Sequence, residues 1–370
     1  MAIYLTPEIT PELSRKLEEI DELRGQIGAG TSSPEAWVKR LRRQVQATAY
    51  SSSTRMEGFE TSDEDAARVV ADSRAAETEG QIALECYLRA MQHVGVMSRE
   101  DEFKWHRRVV LDLHFDACSF QKDKHPGAFR EGGVGVLDQR DRPVYEGPPS
   151  SEVPGLVAEV LEWLATPAET HFIVTAAMTH LHLASIHPFE DGNGRTARIL
   201  QSLVLAEAGD VSPEFGSIEE FIAENVVEYY AVLAEVQKGQ YSPQLDATPW
   251  IEFCIDAHLE QARRRVKQVE DAVRRWAAIE TLLAERGWPE RFAIAIEQAL
   301  IGSSDRGRYS AEADIALPTA SGDFRRLLDA GLVEQRGRGR NIKYVASKAL
   351  RAAIAGDPSR IDPLSRVLRQ

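Results

Sequence analysis

This sequence is short of the features that mark a secreted or membrane-bound chain. Cysteine is scarce: Cys86, Cys118 and Cys254 are scattered, odd in number, and form no metal-spaced pair. That argues against a disulfide framework or a thiolate metal site and fits a reducing cytoplasm with three buried thiols. No apolar run approaches the roughly 20 residues needed to cross a bilayer. Met1-Ala2-Ile3-Tyr4-Leu5-Thr6 lacks the charged start of a signal peptide. A cytoplasmic location with no membrane partner is expected. Positive charge is short as well, with 44 Lys+Arg against 58 Asp+Glu and a net charge of −14, which speaks against broad coating of nucleic acid. The deficit is uneven: residues 301–370 hold thirteen Lys/Arg against eight Asp/Glu, or +5, leaving −19 on the first 300. Such asymmetry permits a small basic module on an acidic body.

At 370 residues, 43% hydrophobic and 28% charged, the chain can bury a substantial core in two or three domains. The periodicity is mainly helical. Thr10-Pro11-Glu12 opens a first helix with a capping hydroxyl, proline at the first helical position and an acidic first turn, and Gly28 to Pro34 breaks it. Ser33-Pro34-Glu35 opens a second helix running towards Gly58. Glu64 to Val94 reads as two amphipathic helices. Phe103 to Phe115 is another, and its His106 and His114 are expected to be exposed or satisfied in the fold rather than metal ligands. Gly132-Gly133-Val134-Gly135-Val136, the polar Asp138 to Arg142 and Pro143-Val144-Tyr145 predict a β-hairpin with a charged tip. Helices are expected again over Val153 to Leu164 and Phe172 to Ile186, the latter carrying His180 and His182 as core residues. Ile218 to Val236 and Trp250 to Leu259 complete the helical body. Gln261 to Ala284 is charged and periodic, a connecting helix or a dimer arm, and Gly287-Trp288-Pro289 marks a boundary. The expected division is 1–112, a helical N-terminal region; 113–260, a central core; 261–286, a connecting helix; and 287–370, a small C-terminal domain.

The densest chemistry lies in Ile186-His187-Pro188-Phe189-Glu190-Asp191-Gly192-Asn193-Gly194-Arg195-Thr196-Ala197-Arg198. Apolar periodic sequence on both sides makes it helix, tight loop, helix. The glycines leave backbone N–H groups open where a helix begins, which is a ready anion site. Arg195 and Arg198 are one turn apart and can meet one polyphosphate. Asp191 offers a hard oxygen suited to a Mg²⁺ riding on phosphates, and His187 lies beside it to take a proton from a hydroxyl.

These residues resemble the Fic family signature His-x-Phe-x-Asp/Glu-Gly-Asn-Gly-Arg-x-x-Arg, matched at every fixed position from His187 through Arg198. The resemblance implies a mainly α Fic-type helical bundle and transfer of AMP from Mg-ATP to a hydroxyl of a target protein. It makes His187 the general base, Phe189 the loop's core anchor and Asp191 the metal ligand. Gly192, Asn193 and Gly194 would line the α-phosphate site, with Arg195 and Arg198 on the β- and γ-phosphates. Related Doc proteins, which phosphorylate, carry Lys where this chain has Gly194, so a kinase is disfavoured.

Ser53-x-x-x-Glu57-Gly58 resembles the family's inhibitory motif in the class where it precedes the core. There the glutamate pairs with the second motif arginine, here Arg198, and takes the guanidinium fork that the γ-phosphate needs. Phe59 after it is unaccounted for. The hairpin with Gly133, Val134, Gly135 and Val136 is similar to the family's flap, which pairs its edge with an extended target segment. Glu228-Tyr229-Tyr230 resembles the family's paired tyrosines near the adenine, although core packing accounts for them equally. Tyr309 to Ala313, Pro318 to Gly331, and Leu332 to Val345 with Arg336, Arg338 and Arg340 on its turn resemble a winged helix-turn-helix. Such a domain docks DNA or protein, and Asp323 on its second helix is unhelpful for DNA. The reading is an autoinhibited protein adenylyltransferase that can also modify itself or pair as a homodimer. Its rivals are the reverse hydrolase, using Glu57, and a DNA-binding regulator with a nucleotide-sensing Fic domain.

Overall fold

The computed structural model describes residues 2–32, 36–71, 76–137, 143–166, 170–209 and 212–355. It is mainly α. In chain order come α1 (Pro11–Thr31), α2 (Ala36–Arg55), α3 (Asp63–Val70), α4 (Glu79–Met97) and α5 (Arg107–Cys118), then a hairpin of β1 (Gly135–Leu137) and β2 (Pro143–Glu146). Next are α6 (Val153–Ala165), α7 (Phe172–Ile186), α8 (Asn193–Glu207), α9 (Pro213–Gly216), α10 (Glu219–Glu224), α11 (Val226–Gln237) and α12 (Thr248–Arg286). The chain continues through α13 (Phe292–Ile301), α14 (Arg306–Glu312) and α15 (Leu317–Asp329), the hairpin β3 (Val333–Arg336) and β4 (Lys343–Ala346), and α16 (Lys348–Ile354).

The helix starts follow their capping residues. Thr10 Oγ1 accepts from Leu13 N at 3.3 Å, Ser62 caps α3, and Thr78 with Gln81 forms a capping box on α4. Two expected breaks fall elsewhere. α1 runs on through Gly28 to Thr31, so the glycines weaken the helix without ending it. Trp250–Leu259 and Gln261–Ala284 are parts of one 39-residue helix, α12, because no Gly or Pro interrupts residues 250–286. The predicted start at Ser33-Pro34-Glu35 and the charged hairpin tip Asp138–Arg142 lie outside the described residues.

The chain forms two compact units: Met1–Gly28 with Arg42–Val266, and Ala29–Leu41 with Lys267–Gln370. This differs from the four-part division expected above. The apolar faces of the N-terminal helices join the same cores as the motif helices, so 1–112 and 113–260 are not separate bodies. In the first unit, Tyr50, Leu84, Tyr87 and Met91 pack with Leu113, Phe189, Ile199 and Leu203. A second cluster joins Leu13, Leu17 and Ile20 to Ile173, Leu181, Tyr229 and Trp250. α7 and α8, which flank the motif, are buried along nearly their whole length, so the loop between them is held on a rigid base. The second unit gathers Phe292, Tyr309, Phe324, Leu327 and Tyr344 into a core of its own.

Candidate active site

The site is built on the turn from α7 to α8. His187 caps α7 in the left-handed region, with φ 50°, which turns the chain sharply out of the helix. Its Nδ1 lies 3.2 Å from the Ala184 carbonyl. A carbonyl only accepts, so Nδ1 carries the proton and Nε2 keeps its lone pair. Burial lowers the imidazole pKa, the Ala184 bond only partly opposing it, so the ring is neutral at neutral pH and competent as a base. Phe189 is fully buried and stacks on His114 with ring centroids 3.6 Å apart. The side-chain amide of Asn193 closes the loop: its Oδ1 accepts from Phe189 N and its Nδ2 donates to Phe189 O, both at 2.9 Å. Asn193 is therefore spent on the loop, and an anion would meet only its backbone N–H.

Gly192 precedes α8 with φ +75°, and a Cβ there would collide with Cys118 Sγ. Only glycine fits both the space and the conformation. The N–H groups of residues 193–195 have no carbonyl a turn earlier within α8, and the positive end of the helix lies with them. Asp191 stands at this end, with Oδ1 accepting from Gly192 N and Oδ2 from Gln121 Nε2, each at 2.6 Å. Gln121 Oε1 in turn accepts from Arg195 Nη2 at 2.7 Å, and that guanidinium is 3.5 Å from Asp191.

Arg195 and Arg198 both lie on α8 and are both buried. Arg198 donates from Nε to Ser53 Oγ at 2.7 Å, and from Nη2 to the Ser53 carbonyl at 3.2 Å and Glu57 Oε1 at 2.7 Å. The pairing expected between Glu57 and Arg198 is thus present. Burial works against the Arg198 charge, but Glu57 together with Tyr229 and Tyr87 outweighs it and the pKa is raised. Glu57 also presses on the helix start, since a Cβ on Gly194 would fall within contact distance of its Oε1. The carboxylate therefore stands against the start of α8 at Gly194.

Residues 97–205 match the Fic/DOC family. They are a Fic domain. A 98-residue stretch is 30% identical to a probable protein adenylyltransferase of Aquifex aeolicus, covering 26% of this chain and 29% of that protein. A 166-residue stretch is 34% identical to the protein adenylyltransferase fic-1 of Caenorhabditis briggsae, covering 43% of this chain and 28% of the relative. The chain thus spans under a third of the length of these relatives. Among solved structures, a Fic family protein from Desulfovibrio desulfuricans superposes with TM-score 0.61 at 22% identity, covering 93% of this chain and 98% of that one. Fic-1 from C. elegans gives TM-score 0.56 at 18% identity over 69% of this chain and 72% of that one. These two show a shared fold.

Several partners of the Fic motif carry no local signal in the sequence. Arg130 donates from Nε to the His187 carbonyl at 2.7 Å, and from its other nitrogens to the carbonyls of Gly132, Pro148 and Ile186. It fixes the loop bearing His187, and its place after Gly127-Ala128-Phe129 gives no sign of that. His114 accepts from Gly127 N at 2.9 Å and lies 3.0 Å from the Asp191 carbonyl. Burial pushes its pKa down to about 4, so it is satisfied, as expected. Tyr229 is a core residue with its hydroxyl 3.1 Å from His180 Nε2, whereas Tyr230 is 49% exposed. Of the flap residues, Gly135 and Val136 lie in β1, pairing with Glu146 and Tyr145, and Val134 O accepts from Gly147 N. The outer side of β2 is partly taken by residues 239–241, so the open edge is that of Gly133 to Val136.

Proposed function

We propose that the chain is a protein adenylyltransferase held closed by Glu57. A target Ser, Thr or Tyr hydroxyl gives its proton to His187 Nε2 and attacks the α-phosphorus of ATP. The new P–O bond forms as the bond to the bridging oxygen breaks, pyrophosphate leaves, and the proton passes from His187 to solvent. The observation that carries this is His187, its Nδ1 held at the Ala184 carbonyl, on the loop that leads into a glycine-lined helix start with two arginines. The N–H groups of residues 193–195 and the guanidinium groups of Arg195 and Arg198 would hold the charge that develops on the phosphates. No group of three or more His, Cys, Asp or Glu among the described residues could hold a metal alone. Asp191, 36% exposed at its side chain, suits a Mg²⁺ that keeps most of its waters and rides on the nucleotide. When bound, such an ion offsets charge on the leaving pyrophosphate. The flap edge at Gly133 to Val136 is the docking strand for an extended target segment.

ATP labelled on the α-phosphate should label protein, either a target or the chain itself. Label arriving only from the γ-position would refute adenylyl transfer. Because Glu57 stands against the start of α8, the reverse reaction, with Glu57 holding water against an adenylylated side chain, has the same support. Incubating pre-adenylylated protein with wild type and Glu57→Gly separates the two directions.

The second unit we read as a winged helix with DNA as its partner. α14 and α15 form the helix pair, and β3 and β4 the wing. Asp323 is buried, bonded to Arg291 and to the Tyr309 hydroxyl, so the acid that argued against DNA is withdrawn from the surface. Arg325, Arg336 and Arg338 are exposed; the Arg340 side chain is outside the described residues. Binding of the full chain to duplex DNA should weaken with salt and with Arg336→Ala plus Arg338→Ala. Binding that ignores both would favour a protein partner.

A further inference from the structure

The segment following Glu57 covers the other arginine of the motif. Arg195 is 0% exposed, and its Nη2 is bonded to Gln121. Its Nε and Nη1 are buried without a hydrogen-bond partner. Beside Gln121 and Asp191, whose Oδ1 is 3.5 Å from Nη2, the guanidinium meets two rings: its Cζ is 5.0 Å from the Phe59 centroid and 5.7 Å from that of Phe120. The rings meet edge to face at 5.2 Å. Cation–π contact is weaker than the charge-assisted bonds a phosphate would give, so the rings cover the guanidinium without matching what a phosphate would supply.

Phe120 belongs to the loop after α5, whereas Phe59 belongs to the end of α2. Gly58, with φ +87°, turns the chain there, and Phe59 N and Glu57 N both donate to Thr54 O at 3.1 Å. That cap sends Glu57 to Arg198 and Phe59 to Arg195 from a single turn.

We propose that Phe59 is a specificity-determining residue of this site: it covers the guanidinium of Arg195, so while it is in place a nucleotide gains little from a second phosphate. This rests on the nucleotide reading above. It differs from the Glu57 lock, because removing Phe59 alone opens Arg195 and leaves Arg198 paired. An α-phosphate needs the helix N–H groups and not Arg195, whereas a second phosphate needs the guanidinium that Phe59 covers.

Titration calorimetry of the full chain with Mg²⁺ and either ADP or AMP tests this without reference to turnover. Phe59→Ala should tighten ADP about tenfold, the scale of one cation–π contact removed, with AMP moved by less than about twofold on the same scale. Phe59→Leu keeps bulk over Arg195 without a π face, holds the helix cap, and should shift ADP in the same direction by less. A variant series that leaves ADP unchanged, or moves ADP and AMP equally, overturns the proposal and makes Phe59 a packing residue. Arg195→Ala in the Phe59→Ala background, where the guanidinium is uncovered, is the control. If it fails to weaken ADP, the phosphate cradle itself is wrong and the Phe59 assignment falls with it.

Discussion

Replacing Glu57 tests the lock most directly. The ion pair joins a carboxylate that is 20% exposed to a guanidinium that is 2% exposed, at 2.7 Å. Removing one partner of a buried pair commonly costs about 3–5 kcal/mol. Here Arg198 keeps both its bonds to Ser53, and the partial exposure of Glu57 screens part of the attraction. About 2 kcal/mol of the closed state should therefore be lost, or roughly thirtyfold in the balance between closed and open sites. Glu57→Gly should raise self-adenylylation by about that factor, read by intact mass after timed incubation with Mg-ATP. Glu57→Gln keeps an oxygen for Arg198 Nη2 but no charge, so it should lie between, at roughly fivefold. Glu57→Gly should also lower the melting temperature, because the buried Arg198 charge loses its counter-ion, and ADP should restore it by linkage. A rate for Glu57→Gly within twofold of wild type, or a Gln variant faster than the Gly variant, would refute the reasoning.

Other outcomes follow from the same geometry. His187→Ala should abolish transfer. In the active Glu57→Gly protein the acidic limb of the rate profile should lie below the ordinary imidazole pKa of about 6.5, because burial depresses the pKa of His187; an inflection above 7 would contradict this. Gly194→Ala should destabilise wild type by about 1–2 kcal/mol through the clash with Glu57. In the Glu57→Gly protein the same change should be stabilising, since alanine favours a helix by about 1 kcal/mol; equal effects in the two backgrounds would exclude the contact. His182 is buried with both ring nitrogens unpartnered, and burial lowers its pKa to about 3. Its folded pKa lies below the unfolded one, so the stability due to its neutrality is full above about 6.5 and is lost as pH falls through that window. His182→Phe should then relieve about 2 kcal/mol at pH 5 relative to pH 8, and an identical change in melting temperature at both pH values would disprove it.

The residues legible in the sequence are those whose chemistry is local. The run from His187 to Arg198 could be read as helix, tight loop and helix because what shapes the loop lies within it: left-handed His187 and Gly192, and the Asn193 amide bonded to Phe189. Ser53 and Glu57 could be read because they sit four apart across the end of α2, towards one partner. Gln121, Arg130, His114 and Phe120 could not, since each reaches the motif from 57 to 77 positions away and no spacing rule records such a contact. Asp323 shows the same limit from the other side. Its place on α15 was readable, but which way it faced was decided by Arg291, 32 residues before it. Tyr229 and Tyr230 are adjacent, yet one is core and the other exposed, a difference set by what α11 packs against and not by the pair itself. Phe59 combines the two cases. Its position one residue beyond Gly58 was visible, but its meaning depends on Arg195 lying 136 residues later under the same turn. A single helix end that occupies both guanidinium groups gives one displacement two consequences, and mutating Glu57 and Phe59 separately is the way to tell them apart.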